Sequence, residues 1–337
     1  MRTIAFFNNK GGVGKTSLVY HVSNMCAELG ACVLVADLDP QSNLTAMFLD
    51  ELELEEIWPD EGGGASVLAC IRPIIEGLGD IGDAPLRKVA PGLHLLPGDL
   101  GLSRFEDRLS ESWPKCLDGD IAAFRVTTAF YRILHAAARE SEADIVLIDI
   151  GPNLGAINRS ALIAADHVVM PLTPGLFSLQ GLRNLGPTLH DWRVGWKKRL
   201  EAVPDALSIP MPSGAMRPAG YVIMQHVERR NRPVKAYQRW ISQIPGVYRS
   251  EVLRDKTSVA ISDPDPNCVG YIKNYQSLMP LAEDARKPIF RLTPADGAIG
   301  AHAAAVSKCY LDFGRLARDI LGKCSEHAPD ENPAGAV

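Results

Sequence analysis

Short apolar runs alternate with helical patterns along most of the chain. The runs are TIAFF (3–7), CVLVAD (32–37), IVLID (145–149), HVVMPL (167–172) and YVIMQ (221–225). Each is continuous rather than alternating in polarity, which is typical of strands covered on both faces of a parallel sheet. The pattern therefore predicts an α/β fold: a doubly wound, mostly parallel sheet flanked by helices.

The segment between the first two runs, residues 15–29, has the spacing of an amphipathic helix. Its apolar positions recur every three or four residues, and Gly30 follows as a stop signal. With its neighbours this helix forms a βαβ unit. A similar stripe predicts a closing helix over residues 300–321. The apolar positions of the first helix are Leu18, Val22, Met25 and Leu29.

Two segments interrupt this pattern, and a third follows it. DELELEEIWPDEGGG (50–64) carries seven acids and no base, so a solvated acidic insert is expected over about residues 48–66. PDALSIPMPSGAMRPAG (204–220) holds four prolines and predicts a loop. Since there is no internal repeat, the sequence predicts one domain over residues 1–323, followed by a polar, disordered tail over 324–337.

The overall composition narrows the functional classes. The 337 residues carry a net charge of −5, with 46% hydrophobic and 22% charged residues, which is typical of a globular protein rather than a chain coated in nucleic acid. Seven cysteines are scattered without a C-x-x-C pair, so a reducing cytoplasm fits better than a disulfide framework or a zinc site. No stretch approaches the roughly 20 apolar residues that span a membrane, and we expect no membrane partner.

A glycine-rich loop, NNKGGVGKTS (8–17), lies between the first strand and the first helix. Glycines let backbone N–H groups turn toward phosphate oxygens, and the helix contributes its positive N-terminus. In such a loop Lys15 reaches the β- and γ-phosphates, Thr16 ligates Mg²⁺ and Ser17 bonds the α-phosphate. The candidate nucleotide-binding residues are Lys10, Gly11, Gly12, Val13, Gly14, Lys15, Thr16 and Ser17.

The loop carries a second lysine, Lys10, and has Asn9 where the usual pattern G-x-x-x-x-G-K-[ST] begins with glycine. KGGVGKTS resembles the deviant Walker A motif of the ParA/MinD-type P-loop ATPases, closest to ParA-like partition and positioning ATPases. The resemblance implies ATP and Mg²⁺ as cofactors, and a homodimer in which Lys10 crosses to the partner's phosphates. Lys10 and Lys15 would then both be catalytic. The alternative from the sequence alone is that Lys10 is a solvated loop charge.

Two aspartates, Asp37 and Asp39, follow the second strand in VADLDPQSN (35–43). Residues two apart lie on the same side of an extended chain, and the carboxyl end of a strand in such a sheet faces the ligand crevice. The segment resembles the family's switch I, D-x-D-P-Q, which implies that Asp39 positions the attacking water, with Asp37 in support. The alternative is that both aspartates only cap the next helix.

The segment ADIVLIDIGPNLG (143–155) is an apolar strand that ends in Asp149. As a Walker B acid, Asp149 would hold Mg²⁺ through its water shell. The family usually reads D-T-P-P here, whereas Ile150 and Gly151 precede Pro152 in this chain. A possible hydrogen bond near the γ-phosphate is therefore missing. The candidate metal-site residues are Thr16, Asp39 and Asp149.

The resemblance extends over most of residues 2–225. SALIAADHVVMPLTPGLFSLQGLRNL (160–185) and GLHLLPGDLGLSRFEDRL (92–109) resemble two further family blocks. Gln225 stands where relatives have a strand ending near the adenine, which implies a base contact. Because the nucleotide loop begins at residue 8, we expect no N-terminal DNA-binding extension of the kind that some longer relatives carry.

Two segments, 183–200 and 226–240, each carry five bases and one acid, with aromatic residues between them. The resemblance implies nonspecific DNA binding by the ATP dimer, through neutralised phosphates and released counterions. The alternative is two ordinary solvated helix faces with the tryptophans in the core, since the net charge is negative. The candidate DNA-binding residues are Arg193, Lys197, Lys198, Arg199, Arg229, Arg230, Arg232 and Lys235.

Together these features predict a dimerising ATPase of ParA type that hydrolyses Mg-ATP to partition DNA or to position a cargo. Its partners would be a second copy, nonspecific DNA and a ParB-like or cargo-adaptor activator. We expect it in the cytoplasm, associated with the nucleoid where it binds DNA. Two alternatives stay open: a regulatory ATP switch without a DNA role, and a metabolic amide-forming ligase that shares the deviant loop.

Overall fold

A computed structural model describes residues 1–59, 64–226, 228–229, 232–233, 235–257, 264–275 and 277–325. The strands within these residues are β1 (Arg2–Phe6), β2 (Val33–Asp37), β3 (Arg87–Ala90), β4 (Leu93–Leu96), β5 (Ile145–Asp149), β6 (His167–Leu172), β7 (Arg217–His226), β8 (Glu228–Arg229), β9 (Arg232–Pro233) and β10 (Cys268–Lys273).

Eight of these strands form one sheet in the order β10-β7-β6-β1-β5-β2-β4-β3. Every neighbouring pair is parallel except β3 and β4, so the sheet is mostly parallel with one antiparallel edge. Strands β8 and β9 form a separate two-stranded antiparallel ladder. The predicted fold class is confirmed.

Helices cover both faces of the sheet. They are α1 (Lys15–Glu28), α2 (Asn43–Phe48), α3 (Glu51–Ile57), α4 (Val67–Glu76), α5 (Phe105–Lys115), α6 (Ile121–Thr127), α7 (Ala129–Glu140), α8 (Ala156–Ile163), α9 (Leu176–Leu200), α10 (Lys235–Ile241), α11 (Ile244–Val247), α12 (Met279–Ala285) and α13 (Ala301–Ser325). The predicted first helix is confirmed: it begins at Lys15, directly after the glycine loop.

The central strands divide the core into two layers because successive side chains of a strand point to opposite faces. In β5, Val146 and Ile148 face the layer packed by α5, α7 and α8. Ile145 and Leu147 face the other layer, which α1 and α13 cover. Burial on both faces accounts for the continuous apolar runs in the sequence.

The sheet places the three predicted motifs side by side. β5 lies between β1 and β2, and in this register Asp149 is level with both Phe6 and Asp37. Because the three strands are parallel, their carboxyl ends meet at one edge. The glycine loop, the Asp37–Asp39 segment and the segment after Asp149 therefore emerge next to one another.

Three segment boundaries differ from the expectations. The loop predicted over 204–220 ends at Met216, because Arg217 already pairs with β6 as the start of β7. The closing helix runs to Ser325 rather than 321, since its last buried contact is Cys324. The tail predicted from residue 324 therefore begins inside this helix, and residues 326–337 lie outside the described residues.

The acidic insert is partly folded rather than a solvated excursion. Its first part forms α3, which Asp50 and Glu53 close with a capping box. Ile57 at the end of α3 is buried, and the Trp58 indole donates a 2.9 Å hydrogen bond to the carbonyl of Gly98. Ile57 and Trp58 therefore hold this acidic segment against the rest of the domain.

Candidate nucleotide site

The glycine loop after β1 has the backbone that a phosphate cradle needs. Gly12 and Gly14 have φ of 71° and 85°, a left-handed conformation that suits residues without a Cβ. Asn8 anchors the loop: its amide donates to the carbonyl of Pro171 at 2.6 Å, and its side-chain oxygen accepts from the N–H of Lys10 at 3.0 Å. The loop thus leaves strand β1 in a fixed direction and enters α1 through Gly14.

Lys15 and Asp149 form an ion pair at the carboxyl edge of the sheet. Both side chains are buried, with 7% and 0% of their surface exposed. Burial raises the pKa of Asp149, and the Lys15 ammonium opposes that rise. The residue predicted to hold phosphates and the residue predicted to hold metal are therefore adjacent in space.

One carboxylate oxygen of Asp149 is available to a ligand. Its Oδ2 is buried without a hydrogen-bond partner, and Thr16 lies close enough to lower the pKa of the group. Within the described residues no three His, Cys, Asp or Glu side chains cluster as a metal site by themselves. This donor set fits Mg²⁺, which is usually held by one or two protein oxygens and completed by phosphate and water.

Asp37 organises the start of α2. Its Oδ2 accepts hydrogen bonds from the Thr45 N–H and hydroxyl, both at 2.8 Å, and its Oδ1 accepts from the Asp39 N–H at 3.2 Å. Gly98 approaches so closely that a Cβ there would lie 2.9 Å from the Asp37 carboxyl carbon. Burial and the charge of Asp149 raise the pKa of Asp37. The alternative interpretation of the sequence, that the aspartate caps the next helix, therefore agrees with the hydrogen bonds of Asp37.

Asp39 has a different environment, directed to the loop after β5. Its Oδ1 accepts a 3.0 Å hydrogen bond from the Gln41 N–H, and a Cβ on Gly151 would lie only 3.3 Å from the same oxygen. Asn158 of α8 holds this loop by donating to the carbonyls of Gly151 and Asn153 at 2.7 and 2.6 Å. Glycine at position 151 thus allows the predicted switch I segment to lie against the loop that follows Asp149.

Lys10 contacts the segment that follows β6, whereas Lys15 pairs with Asp149 of β5, on the other side of β1. The Lys10 ammonium donates to the Thr173 hydroxyl at 3.1 Å and lies 5.8 Å from the ring centroid of Phe177. Phe177 and its neighbour Leu176 are large apolar side chains with 73% and 53% of their surface exposed. The second lysine is therefore half-buried at the edge of an exposed apolar surface and is not a freely solvated charge.

Two cavities flank the point where α1 leaves the loop, and both are lined by Ser17, His21 and Met279. The larger, of about 420 Å³, lies between α1, α2 and α12. The smaller, of about 200 Å³, lies toward β10 and is lined by Met224 and Asn274. Gln225 follows Met224 in β7, but its side chain lies outside what the structure describes.

His21 joins the nucleotide helix to the C-terminal part of the fold, a connection that sequence reasoning missed. The ring nitrogen Nε2 accepts from the Ile289 N–H at 3.1 Å, so Nδ1 carries the proton and donates to the Ser17 carbonyl at 2.7 Å. The ring also stacks on Phe313 of α13 with a centroid distance of 4.9 Å. Burial lowers the pKa of His21 to about 4.

The four predicted DNA-binding residues whose side chains are described, all in α9, differ in their exposure. Lys197 and Lys198 are exposed near the end of α9, and Arg193 is half-buried with a hydrogen bond to the Met216 carbonyl. Arg199 was wrongly placed in this set: it is buried and donates to the carbonyls of Trp113 and Gly195. The remaining candidates, Arg229, Arg230, Arg232 and Lys235, have side chains outside the described part of the chain.

A mostly parallel sheet with a glycine loop at its central strand, opening a helix through a buried lysine beside an aspartate, defines a P-loop nucleotide-binding protein. A family model described as an AAA domain matches residues 1–202. The ParA of Caulobacter vibrioides is 30% identical over 202 residues, which cover 60% of this chain and 67% of the relative. Soj of Thermus thermophilus is also 30% identical, over 59% of this chain and 66% of its own. The chain belongs to the ParA-type P-loop ATPase family.

Solved structures share the fold over most of the chain. A protein from Corynebacterium diphtheriae aligns with a TM-score of 0.72 and 24% identity, covering 97% of this chain and all of its own. An ATP complex of a McdA variant from Cyanothece aligns with a TM-score of 0.62 and 17% identity, covering 96% of each chain. Cobyrinic acid a,c-diamide synthase from Mycobacterium smegmatis, solved with an ATP analogue and magnesium, aligns with a TM-score of 0.52 and 21% identity over 79% of this chain and 86% of its own.

Proposed function

We propose that this protein is an ATPase of the partition or positioning type, which closes as a homodimer around Mg-ATP and opens after hydrolysis. One observation carries the proposal: Lys15, Thr16, Asp39 and Asp149 converge at the carboxyl edge of the sheet, while Lys10 stands outside this group. A composite site between two copies requires residues that hold phosphate and metal within one chain. It also requires a cation at the edge of this site that is available to the other copy, the role proposed for Lys10.

In the proposed reaction the glycine loop N–H groups and Lys15 bind the phosphates of ATP. Thr16 and Asp149 are the residues that would hold Mg²⁺, which neutralises phosphate charge when it is bound. The ion pair keeps Lys15 and Asp149 in place for these separate tasks. Ser17, which lines both cavities, would bond the α-phosphate, and Gln225 is the proposed base contact.

Asp39 is the proposed group that orients the attacking water. It is nearly buried, lies beside Gly151 and is held by the turn that its own carboxylate forms with Gln41. Asp37 has no free oxygen for this task, because Thr45 and the Asp39 N–H occupy its carboxylate. The division between the two aspartates follows from these hydrogen bonds.

The proposed dimer would use the rim around Lys10. Leu176, Phe177 and Leu154 are exposed there or in the neighbouring loops, and large exposed apolar residues at a charged rim are typical of interaction surfaces. In the cell we propose a cytoplasmic protein stimulated by a ParB-like or cargo-adaptor partner. Among the described residues, none of the helices combines the length and apolar character of a bilayer-spanning segment.

A regulatory ATP switch without a DNA role is the second candidate function. The burial of Arg199 favours this alternative, because it removes one of the four basic side chains proposed in α9. In both cases the nucleotide site and the dimer would work in the same way. They differ only in what the closed dimer binds.

The substitution Lys10→Ala tests the composite site. We expect ADP affinity to stay within about twofold of wild type, whereas ATP-dependent dimerisation and turnover are lost, because Lys10 is apart from the phosphate-holding pair. Analytical ultracentrifugation with ATP and a phosphate-release assay measure the two effects. Lys88→Ala, at an exposed position on the edge strand β3, is the matched control and should behave as wild type. Wild-type sedimentation and turnover of Lys10→Ala would rule out the composite site.

A further inference from the structure

Trp113, near the end of α5, contacts two arginine side chains from two other helices. The guanidinium carbon of Arg199 lies 3.8 Å from the indole centroid, and that of Arg159 in α8 lies 4.4 Å from it. Each cation–π contact is favourable, but the two like charges repel each other. Burial and the nearby Arg199 lower the pKa of Arg159 to about 10.

The two arginines differ in how many of their N–H donors are already used in hydrogen bonds. Arg199 is buried and donates to the Trp113 and Gly195 carbonyls at 2.6 and 2.7 Å. Arg159 is half-buried, and within the described residues it has its indole contact but no hydrogen bond and no ion pair. Its planar guanidinium therefore keeps all its N–H donors for an outside acceptor.

The acid that acts on Arg159 is already engaged elsewhere. Glu106 accepts hydrogen bonds from the backbone N–H groups of Ala156 and Ile157 at 2.5 and 2.9 Å, which fixes the N-terminus of α8. It therefore attracts Arg159 without pairing with it. A bound carboxylate would relieve the repulsion between the two arginines and satisfy Arg159 through two parallel hydrogen bonds.

We propose that Arg159, stacked on Trp113 beside Arg199, is a docking site for an acidic side chain of a partner protein. The local charge favours a single carboxylate over DNA. Residues 105–118 carry four acids and two bases, which balance the charges of Arg159 and Arg199, so the site has no excess positive charge for the long run of phosphates in DNA. The half-buried indole gives an extended peptide an apolar surface next to the cation.

This docking site is connected to the nucleotide crevice through one turn of helix. Asn158, directly before Arg159, holds the carbonyls of Gly151 and Asn153. Those residues belong to the loop that follows Asp149 and touches Asp39. A partner acid bound at Arg159 thus acts on the helical turn that positions this loop.

The inference goes beyond the proposed ATPase, because docking at Arg159 needs no nucleotide. The test titrates nucleotide-free protein with capped tetraglutamate and, separately, with capped tetraglutamine, and follows tryptophan fluorescence. We expect a saturable change with tetraglutamate alone, which Trp113→Phe removes. Arg159→Gln should weaken the affinity at least about tenfold, as for loss of a charge-assisted pair.

Two further variants make the test specific. Arg159→Lys should bind with intermediate affinity, because an ammonium cannot engage both carboxylate oxygens in parallel. Arg315→Gln, which removes the same charge from an exposed position of α13, should bind as wild type. Melting temperatures of all variants are recorded, and Arg159→Lys tests the site even where Arg159→Gln fails to fold.

Several outcomes would overturn the docking site. Equal affinity for the two peptides would do so, as would equal affinity of Arg159→Gln and Arg315→Gln for tetraglutamate. A response to short duplex DNA that depends on Arg159, with none to tetraglutamate, would assign the arginine pair to nucleic acid. Since these measurements contain no ATP, their result is independent of whether the protein hydrolyses it.

Discussion

At the scale of single residues, the Lys15–Asp149 pair sets what mutagenesis can reveal. Both groups are buried, so removing one leaves the other charged and unpaired in the interior. Breaking such a pair typically costs about 3–5 kcal/mol of folding free energy. Lys15→Ala would therefore mix loss of phosphate binding with loss of stability. Asp39, which is not in an ion pair within the described residues, gives a cleaner test of the chemistry.

Asp39→Ala should separate nucleotide binding from hydrolysis. We expect ATP-dependent dimerisation to persist while turnover falls about 10²–10⁴-fold, the contribution typical of a positioned acid–base group. Sedimentation with ATP and phosphate release measure the two properties on the same sample. Asp39→Asn keeps the shape of the turn and controls for its collapse. Rapid turnover in Asp39→Ala would mean that another group positions the water.

We expect His21 to make the free energy of unfolding fall at acid pH. Its pKa is lowered to about 4 in the fold from an ordinary value near 6.5, so the unfolded chain binds a proton that the folded chain refuses. The contribution is complete above about pH 6.5 and is lost as pH falls toward 4, by up to ~3 kcal/mol. Urea denaturation of wild type and His21→Gln across this range measures it. A variant with the slope of wild type would contradict the prediction.

At the scale of elements, helix α9 packs closely at Gly186 against the backbone of residues 251 and 252. A Cβ at this position would overlap the carbonyl oxygen of Glu251 and lie 3.0 Å from the Val252 N–H nitrogen. The partner is the π-helical turn Tyr248–Val252, whose backbone cannot retreat as a flexible side chain would. Glycine is therefore required by the packing of two elements and not by its own φ.

Gly186→Ala and Gly322→Ala form a matched pair within two 25-residue helices. Alanine at 322 meets no atom within 4 Å, so we expect it to stabilise α13 by about 0.5–1 kcal/mol through helix propensity. Alanine at 186 should instead destabilise the fold by about 1–3 kcal/mol or more, as overpacking does. Thermal or urea unfolding of both variants provides the measurement. Stabilisation by Gly186→Ala would show that the turn at 248–252 is able to move away.

The sequence predicts features that depend on neighbouring residues, but not contacts between distant segments. The apolar runs and the glycine loop were recognisable because burial on both faces and a strand–loop–helix context are local signals. The burial of Arg199 was not recognisable, since its partner Trp113 comes from another helix, α5, 86 positions earlier in the chain. The same reason hides the contacts of His21 with Ile289 and Phe313. Pairings between distant segments leave no periodic pattern in the chain.

At the scale of the whole molecule, the charge distribution bears on what the proposed dimer would bind. Lys197 and Lys198 are exposed together at the end of α9 in a chain with a net charge of −5. Two lysines per copy become four in a dimer, so a dimer gains phosphate contacts that one copy lacks. ATP-dependent retention of DNA should therefore be strongly weakened by salt.

The double substitution Lys197→Gln with Lys198→Gln tests this DNA role by gel shift with ATP. We expect weaker retention and a salt dependence lowered by about one unit of slope for each lost phosphate contact. Arg199→Gln is the contrasting variant: it should lower stability and leave the slope unchanged, because Arg199 is buried. Absence of any ATP-dependent retention at low salt would favour the regulatory switch.

The hydrogen bond from Trp58 to the Gly98 carbonyl has a practical consequence for anyone who shortens this protein. Helix α3 and the Trp58 that follows it form a surface appendage by composition, and an engineer seeking a minimal version would delete them first. That deletion would free a carbonyl whose own residue crowds Asp37 and donates its N–H to the Thr45 hydroxyl at 2.8 Å. A truncation that spares the tryptophan and its anchoring turn is the safer starting point for such an engineer.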